Sequence, residues 1–266
     1  MNTLSSPYRE FAQNMAQEAG KIMKRYYSLG MEKGWKGDRT LVTKADLEIN
    51  HLLLEKVQCV FPTHNVRSEE GSSEGKPSEY CWVCDPIDGT APFCHGMPIS
   101  TFSLALVKNG ESILGVVYDP FADRLFIGEK GMGTMLNGKN IRVSSQAELR
   151  GALCDIEAHC THPYHAHTFV EHLCDEERVH CMRMMSFIYP SVLVAAGEVT
   201  FTVFPGDTVH DVAAVKVIVE EAGGRVTDLF GNEQRYDRPV KGAIVSNGVV
   251  HEYLVELSKK YIYLRA

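Results

Sequence analysis

The segment Asp85-Pro86-Ile87-Asp88-Gly89-Thr90 sets two carboxylates three residues apart and follows them with a glycine and a hydroxyl. Two close carboxylates repel, and the simplest relief is a hard divalent cation, with Mg²⁺ favoured by all-oxygen ligands. Thr90 is a helix N-cap type, and Pro92 is tolerated in a first helical turn. Free N–H groups at such a helix start bind phosphate oxygens. One short segment therefore offers a metal site beside a phosphate seat. Taken alone, a D-x-x-D-G run reads more readily as a plain turn, because Asp, Pro and Gly are ordinary turn residues. Other carboxylates change that weighing. Glu69-Glu70 form a second acidic pair, and Asp211 heads a helix-like run that reaches Gly224. An Asp at that place is also an ordinary helix-start residue.

These groups need elements to position them. The apolar stretch Tyr80-Cys81-Trp82-Val83-Cys84 reads as a buried strand that delivers Asp85 to a sheet edge, and Pro86 is expected to end it. Asn65-Val66-Arg67 is a short strand ahead of Glu69, and residues 69–78 read as loop. Ser6-Pro7 opens an amphipathic helix with Phe11, Met15, Ala19, Ile22 and Tyr26 on one face. Thr43-Lys44-Ala45-Asp46 is an [ST]-x-x-[DE] capping box before Leu47, Ile49, Leu52, Leu53 and Val57. Strands over 101–107 and 112–118 form a hairpin through Asn109-Gly110, and a meander continues past Asn137-Gly138. The second half alternates strands and helices, with a helix over 186–196, a strand over 199–204 and a helix from Asp211. Mixed sheets with packed helices follow, an α+β class.

At 266 residues the chain is a large single domain, with possible halves 1–145 and 146–266. Its apolar fraction of 44% is ample for a core. A formal net charge of −7 without a Lys/Arg run argues against a nucleic-acid polymer as partner. A small anionic substrate remains open, because bound metals reverse the local field. No stretch is apolar and long enough to span a membrane, and the first residues lack a signal pattern, so the expected setting is cytoplasmic. The eight cysteines are then expected as free thiols. Cys81-Trp82-Val83-Cys84 reads as core packing rather than a redox pair. Cys154, His159, Cys160, His162, His165, His167, His172, Cys174, His180 and Cys181 crowd one stretch, without finger-like spacing for zinc. A polar, His-rich surface is the plainer reading of that stretch.

The DPIDGT run, the Glu69-Glu70 pair and the Asp211…Glu221-Ala222-Gly223-Gly224 segment together resemble the inositol monophosphatase family, of the lithium-sensitive, Mg²⁺-dependent phosphatase superfamily. Val42-Thr43-Lys44-Ala45-Asp46 and Gly115-Val116-Val117-Tyr118 extend the resemblance over nearly the whole chain. The resemblance implies a layered α-β-α-β-α architecture and hydrolysis of a small phosphate monoester by a metal-activated water. It implies Glu69, Asp85, the Ile87 carbonyl, Asp88 and Asp211 as ligands of two or three Mg²⁺ ions. Gly89 and Thr90 match the phosphate-binding turn, and Asp46 matches an acidic partner of Thr90, which makes Asp46, Glu69 and Thr90 the candidate catalytic residues. Ser186, Phe204 and His210 are the candidate substrate contacts. Inositol-specific members usually carry an acidic residue and a Trp where this chain has Phe204 and His210, so inositol phosphate is disfavoured. Sugar bisphosphates, nucleotide 3′-phosphates and histidinol phosphate stay open as substrates. A non-catalytic metal or phosphate binder is the alternative from another class. Members of the family are often homodimers, and Met132, Met135, Phe121 and Phe126 are the expected apolar patch.

Overall fold

The computed structural model describes residues 6–37, 41–159 and 161–265. Cys160, of the His/Cys-rich stretch, lies outside them. Helix α1 (Pro7–Tyr26) leads through a small ribbon, β1 (Gly34–Trp35) and β2 (Leu41–Val42), into α2 (Lys44–Val60). Seven strands follow: β3 (Asn65–Ser68), β4 (Tyr80–Asp88), β5 (Thr101–Lys108), β6 (Glu111–Asp119), β7 (Arg124–Glu129), β8 (Gly133–Leu136) and β9 (Lys139–Asn140), with the short helix α3 (Thr90–Cys94) after β4. The second half runs β10 (Leu153–Ile156), β11 (Tyr164–His165), α4 (His167–Asp175), β12 (His180–Met182), α5 (Ile188–Ala195) and β13 (Phe201–Phe204). It closes with α6 (Val209–Glu221), β14 (Arg225–Thr227), β15 (Ala243–Ser246), α7 (His251–Tyr261) and β16 (Tyr263–Leu264).

The first sheet has the order β3-β4-β5-β6-β7-β8-β9 and is antiparallel apart from the β3/β4 pair. The second has the order β12-β10-β13-β15-β14, parallel at β12/β10/β13 and antiparallel beyond. Successive residues of a strand face opposite sides, so β4 and β5 supply two cores. Trp82 and Leu104 face Met15, Ala19, Ile49 and Leu53 of α1 and α2. Val83 and Ala105 face Val192 of α5 and Val212, Val215 and Ile218 of α6, a core that also takes in Val226 and Val245 of the second sheet. Phe169, Leu173 and Leu254 of α4 and α7 cover that sheet's far side against Cys154, Phe201 and Ile244. The layers are α-β-α-β-α.

Two expectations are corrected. Strand β4 does not stop at Pro86 but continues to Asp88. Its pairing with β5 shifts register between Asp85 and Asp88, and such an irregularity tolerates a residue without an N–H. Phe126 is fully buried in the central core and cannot belong to an exposed patch; Met132, 47% exposed, is the most open of the expected four. The Asn109-Gly110 and Asn137-Gly138 turns form as expected, with all four residues at positive φ.

Helix α6 lies unusually close to the first sheet. A Cβ on Gly115 would stand 2.5 Å from the Ala214 carbonyl oxygen, and one on Gly128 would stand 2.6 Å from Ile218 Cα. The two glycines let the helix that carries Asp211 approach β6 and β7 of the sheet that carries Asp85 and Asp88.

Candidate active site

Asp85 and Asp88 sit at the end of β4, and Asp211 in the first turn of α6. One carboxylate oxygen from each lies within 4.8 Å of the others. Each chain segment is held in a specific way. The Ile87 N–H donates to Asp85 Oδ1 at 3.0 Å, which folds the DPID turn back on itself. Asp88 accepts the N–H groups of Phe187 and Tyr189, both at 3.1 Å, and the Ser186 hydroxyl. Asp211 accepts the Thr208 hydroxyl. The first sheet, the start of α5 and the start of α6 therefore meet at one acidic point.

That point is electrostatically costly. Burial, then Glu69, Asp88 and Asp211, push the Asp85 carboxyl well above the usual carboxylate range. Burial pushes Asp88 up to about 7, opposed by its Ser186 bond and assisted by Asp211. Burial also raises Asp211, although the neighbouring His210 and Thr208 pull it down. A hard divalent cation on these oxygens would offset the repulsion and the desolvation together, so the donor set fits such an ion.

The Gly89-Thr90 turn differs in detail from expectation. Gly89, not Thr90, is the N-cap of α3, in the left-handed conformation with φ 78°. A Cβ there would crowd Ser186 Cβ at 3.2 Å, so the position requires glycine on both counts. Thr90 is the first helical residue, and the leading N–H groups of a helix have no intrahelical acceptor. Gly89 and Thr90 are both half-exposed and so open to a ligand.

Asp46 forms the capping box in full: its carboxylate accepts the Thr43 N–H at 2.8 Å and the Thr43 hydroxyl, and Thr43 Oγ1 accepts the Asp46 N–H. The direct Asp46–Thr90 hydrogen bond expected from the resemblance is not formed. The Thr90 hydroxyl donates to the Ile87 carbonyl at 3.0 Å. Asp46 Oδ1 is buried with no hydrogen-bond partner.

Glu69 lies just outside the three-carboxylate group and pairs with Lys36, whose ammonium is 2.6 Å from Glu69 Oε1 and 2.6 Å from Glu70 Oε1. Burial works against the Lys36 charge, but the two glutamates outweigh it and hold the pKa above the usual lysine value. His210 stands with Nε2 3.5 Å from Asp211 Oδ2, and its charge also acts to lower the Glu70 carboxyl, which burial raises. Ser186 is buried and spends its hydroxyl on Asp88, so it acts as a support rather than an exposed contact. Phe204 is 2% exposed, stacked on Phe187 at 4.8 Å between centroids and edge-on to His162. Its ring belongs to the core. That corrects the expectation of a stacking face for substrate and removes the argument against inositol phosphate that rested on it.

Two residues of the site were not singled out from sequence. Lys36 is one; nothing in the local pattern ties it to carboxylates more than thirty residues on. Glu157 is the other. It follows β10, and burial, then Asp211 and Asp88, push its carboxyl well up. Its only signal was an acid just after the short run Leu153-Cys154-Asp155-Ile156, two residues after Asp155.

The family model for the inositol monophosphatase family matches residues 4–263. The chain is 35% identical over 227 residues to a fructose-1,6-bisphosphatase/inositol-1-monophosphatase of Thermotoga maritima, spanning 85% of each chain. It is 34% identical over 254 residues to inositol monophosphatase 1 of Solanum lycopersicum, spanning 92% of each. The solved inositol monophosphatase structure from Thermotoga maritima superposes with a TM-score of 0.84 at 31% identity, over 95% of this chain and 96% of that one. With the layers and the acidic centre in place, the chain belongs to the inositol monophosphatase family and is a metal-dependent phosphatase of small phosphate monoesters.

Proposed function

We propose that this phosphatase uses Mg²⁺, two or three ions per site, and hydrolyses the phosphate ester of a small hydroxyl-rich metabolite such as a cyclitol or sugar phosphate. The observation that carries the reading is the convergence of Asp85, Asp88 and Asp211 within 4.8 Å, beside the Gly89-Thr90 turn. Asp85, Asp88, Asp211, Glu69 and the Ile87 carbonyl would hold the ions. Bound there, Mg²⁺ supplies a water of lowered pKa and offsets charge on the phosphoryl oxygens. The chain does the rest by positioning. The Gly89 and Thr90 N–H groups receive phosphate oxygens, and the hydrogen bonds from Ser186, Phe187 and Tyr189 keep Asp88 from turning away. Asp46 uses one carboxylate oxygen for the helix cap and keeps Oδ1 free. A buried acceptor without a donor is unfavourable, so we assign it to the Thr90 hydroxyl or the attacking water once substrate is seated.

The substrate class is supported by the relatives, whose names include inositol monophosphatases and fructose-1,6-bisphosphatase/inositol-1-monophosphatases. His210 beside Asp211, and the Glu157 carboxyl that feels Asp211 and Asp88, are polar groups that a polyol's hydroxyls would use. We also propose a two-fold dimer and a cytoplasmic setting; the support is the exposed Met132 for the first and the cysteine and charge composition for the second. Among the described residues, no helix is long and apolar enough to cross a membrane. The direct test is phosphate release from inositol 1-phosphate, fructose 1,6-bisphosphate, a nucleotide 3′-phosphate and histidinol phosphate. Release from the first two should exceed release from the others; a preference for the nucleotide or histidinol ester would overturn the substrate class.

A further inference from the structure

Three thiols gather away from the acidic centre, on the outer side of the second sheet. Cys154 of β10 and Cys181 of β12 are direct register partners on adjacent parallel strands. The Cys154 thiol donates to Cys181 Sγ at 3.2 Å. Cys174, near the end of α4, is the third thiol, close enough to Cys181 to bear on its charge. Cys154 is fully buried, whereas Cys181 and Cys174 are half-buried and open to small molecules. The three sulfurs do not close into a common metal-ligand group, so zinc, weighed above for this stretch, is not what they suit.

We propose that Cys154 and Cys181 form a reversible disulfide, a redox modification site that acts on the phosphatase through the segment holding Asp88. The geometry is close to what the bond needs. Neighbouring strands lie about 4.8 Å apart, inside the usual Cα range for a disulfide. The sulfurs, 3.2 Å apart, must close to about 2.05 Å. Cys181 is only half-buried, and exposed disulfides are the readily reduced ones. The hydrogen bond donated by Cys154, with the nearby Cys174 thiol, outweighs burial and holds the Cys181 thiol down at about 7. Cys181 is therefore the nucleophile.

With a hydroperoxide as oxidant, the Cys181 thiolate attacks one peroxide oxygen, the O–O bond breaks, and hydroxide leaves a sulfenic acid behind. The Cys154 thiol then attacks that sulfur, the S–O bond breaks, and the proton and hydroxyl depart as water. Two thiols and one hydrogen peroxide give one disulfide and two waters. A small dithiol reverses the step and becomes a disulfide itself.

The coupling runs along the chain. Strand β12 is the edge of its sheet. Two residues beyond it, the Met184 N–H donates to Asp155 Oδ2 at 2.9 Å, and Met185 takes a positive φ of 55°. Ser186, Phe187 and Tyr189 then grip Asp88. Drawing Cys181 toward Cys154 moves the edge strand and the base of that grip.

The test treats the full-length wild-type chain with hydrogen peroxide, blocks free thiols with an alkylating reagent, and digests it without reductant. A peptide joining Cys154 to Cys181 should appear, and dithiothreitol should remove it. Turnover of a phosphate ester should fall at least threefold with the bridge and recover with dithiothreitol. Cys181→Ser, which leaves the phosphatase machinery untouched, should keep its turnover under the same peroxide. The linked peptide is read without any phosphatase assay, so its absence separates failure of this site from failure of the proposed activity. No Cys154–Cys181 peptide, a Cys174–Cys181 peptide in its place, unchanged turnover in the bridged protein, or equal inactivation of Cys181→Ser would each overturn the proposal.

Discussion

Asp46 shows how one side chain serves two ends. One carboxylate oxygen closes the capping box of α2, and the other is buried and free. Burial pushes the carboxyl up to about 7, against the Thr43 hydrogen bonds and with help from Glu70 and Glu69. If Oδ1 serves the reaction, Asp46→Asn should keep the cap within about 1 kcal/mol, yet lower turnover about 10²-fold. Denaturant melts and phosphate release on one variant decide the matter; wild-type turnover would reduce Asp46 to a cap. At this scale the acidic centre was legible in the sequence only in combination: the DPIDG run alone reads as a turn, and the Glu69-Glu70 pair, Asp211 and the family resemblance changed that reading. Asp211 was legible only in company with them. Lys36 and Glu157 were not, because their place depends on which loops and strands meet. The Cys154–Cys181 contact was equally hidden: it follows from strand register, and twenty-seven residues separate the pair. The burial of Phe204 was left open by the sequence, because an aromatic that ends the strand Phe201-Thr202-Val203-Phe204 suits a core as well as a pocket.

Among the elements, α6 does most to assemble the site. It carries Asp211, packs between the two sheets, and touches the first sheet over Gly115 and Gly128. Gly128→Ala puts a methyl group against Ile218 Cα, backbone that cannot turn aside. The helix must shift or the strand must bend, at a cost of about 1–3 kcal/mol. Because Asp211 rides on that helix, turnover should fall as well, at a temperature where the variant is still folded. A thermal melt with a parallel assay checks both; unchanged melting would mean that the helix has slack there. The order of elements was readable from apolar periodicity and Asn-Gly turns. The course of β4 through Pro86 was not, since a proline normally ends a strand and only the shifted register with β5 admits it.

For the molecule as a whole, the five layers bring the first sheet's DPIDGT turn against the starts of α5 and α6, so the centre is complete only when both halves of the chain are folded. The layering was expected from the resemblance; the composition and patterning by themselves reached only mixed sheets with packed helices. Self-association is a property of this scale. Light scattering at micromolar concentration should give twice the chain mass, and the mass of one chain would count against the dimer. The central claim is that carboxylates drawn together against their own repulsion exist to hold catalytic divalent ions. It is tested most directly by phosphate release from inositol 1-phosphate with Mg²⁺, with excess chelator, and after Mg²⁺ is restored, in the wild type and in Asp88→Asn. The account predicts release with Mg²⁺, loss below about one hundredth with chelator, recovery on restoration, and a folded Asp88→Asn that stays at least about 10²-fold down throughout. Undiminished release in excess chelator, or wild-type release by Asp88→Asn, would contradict it.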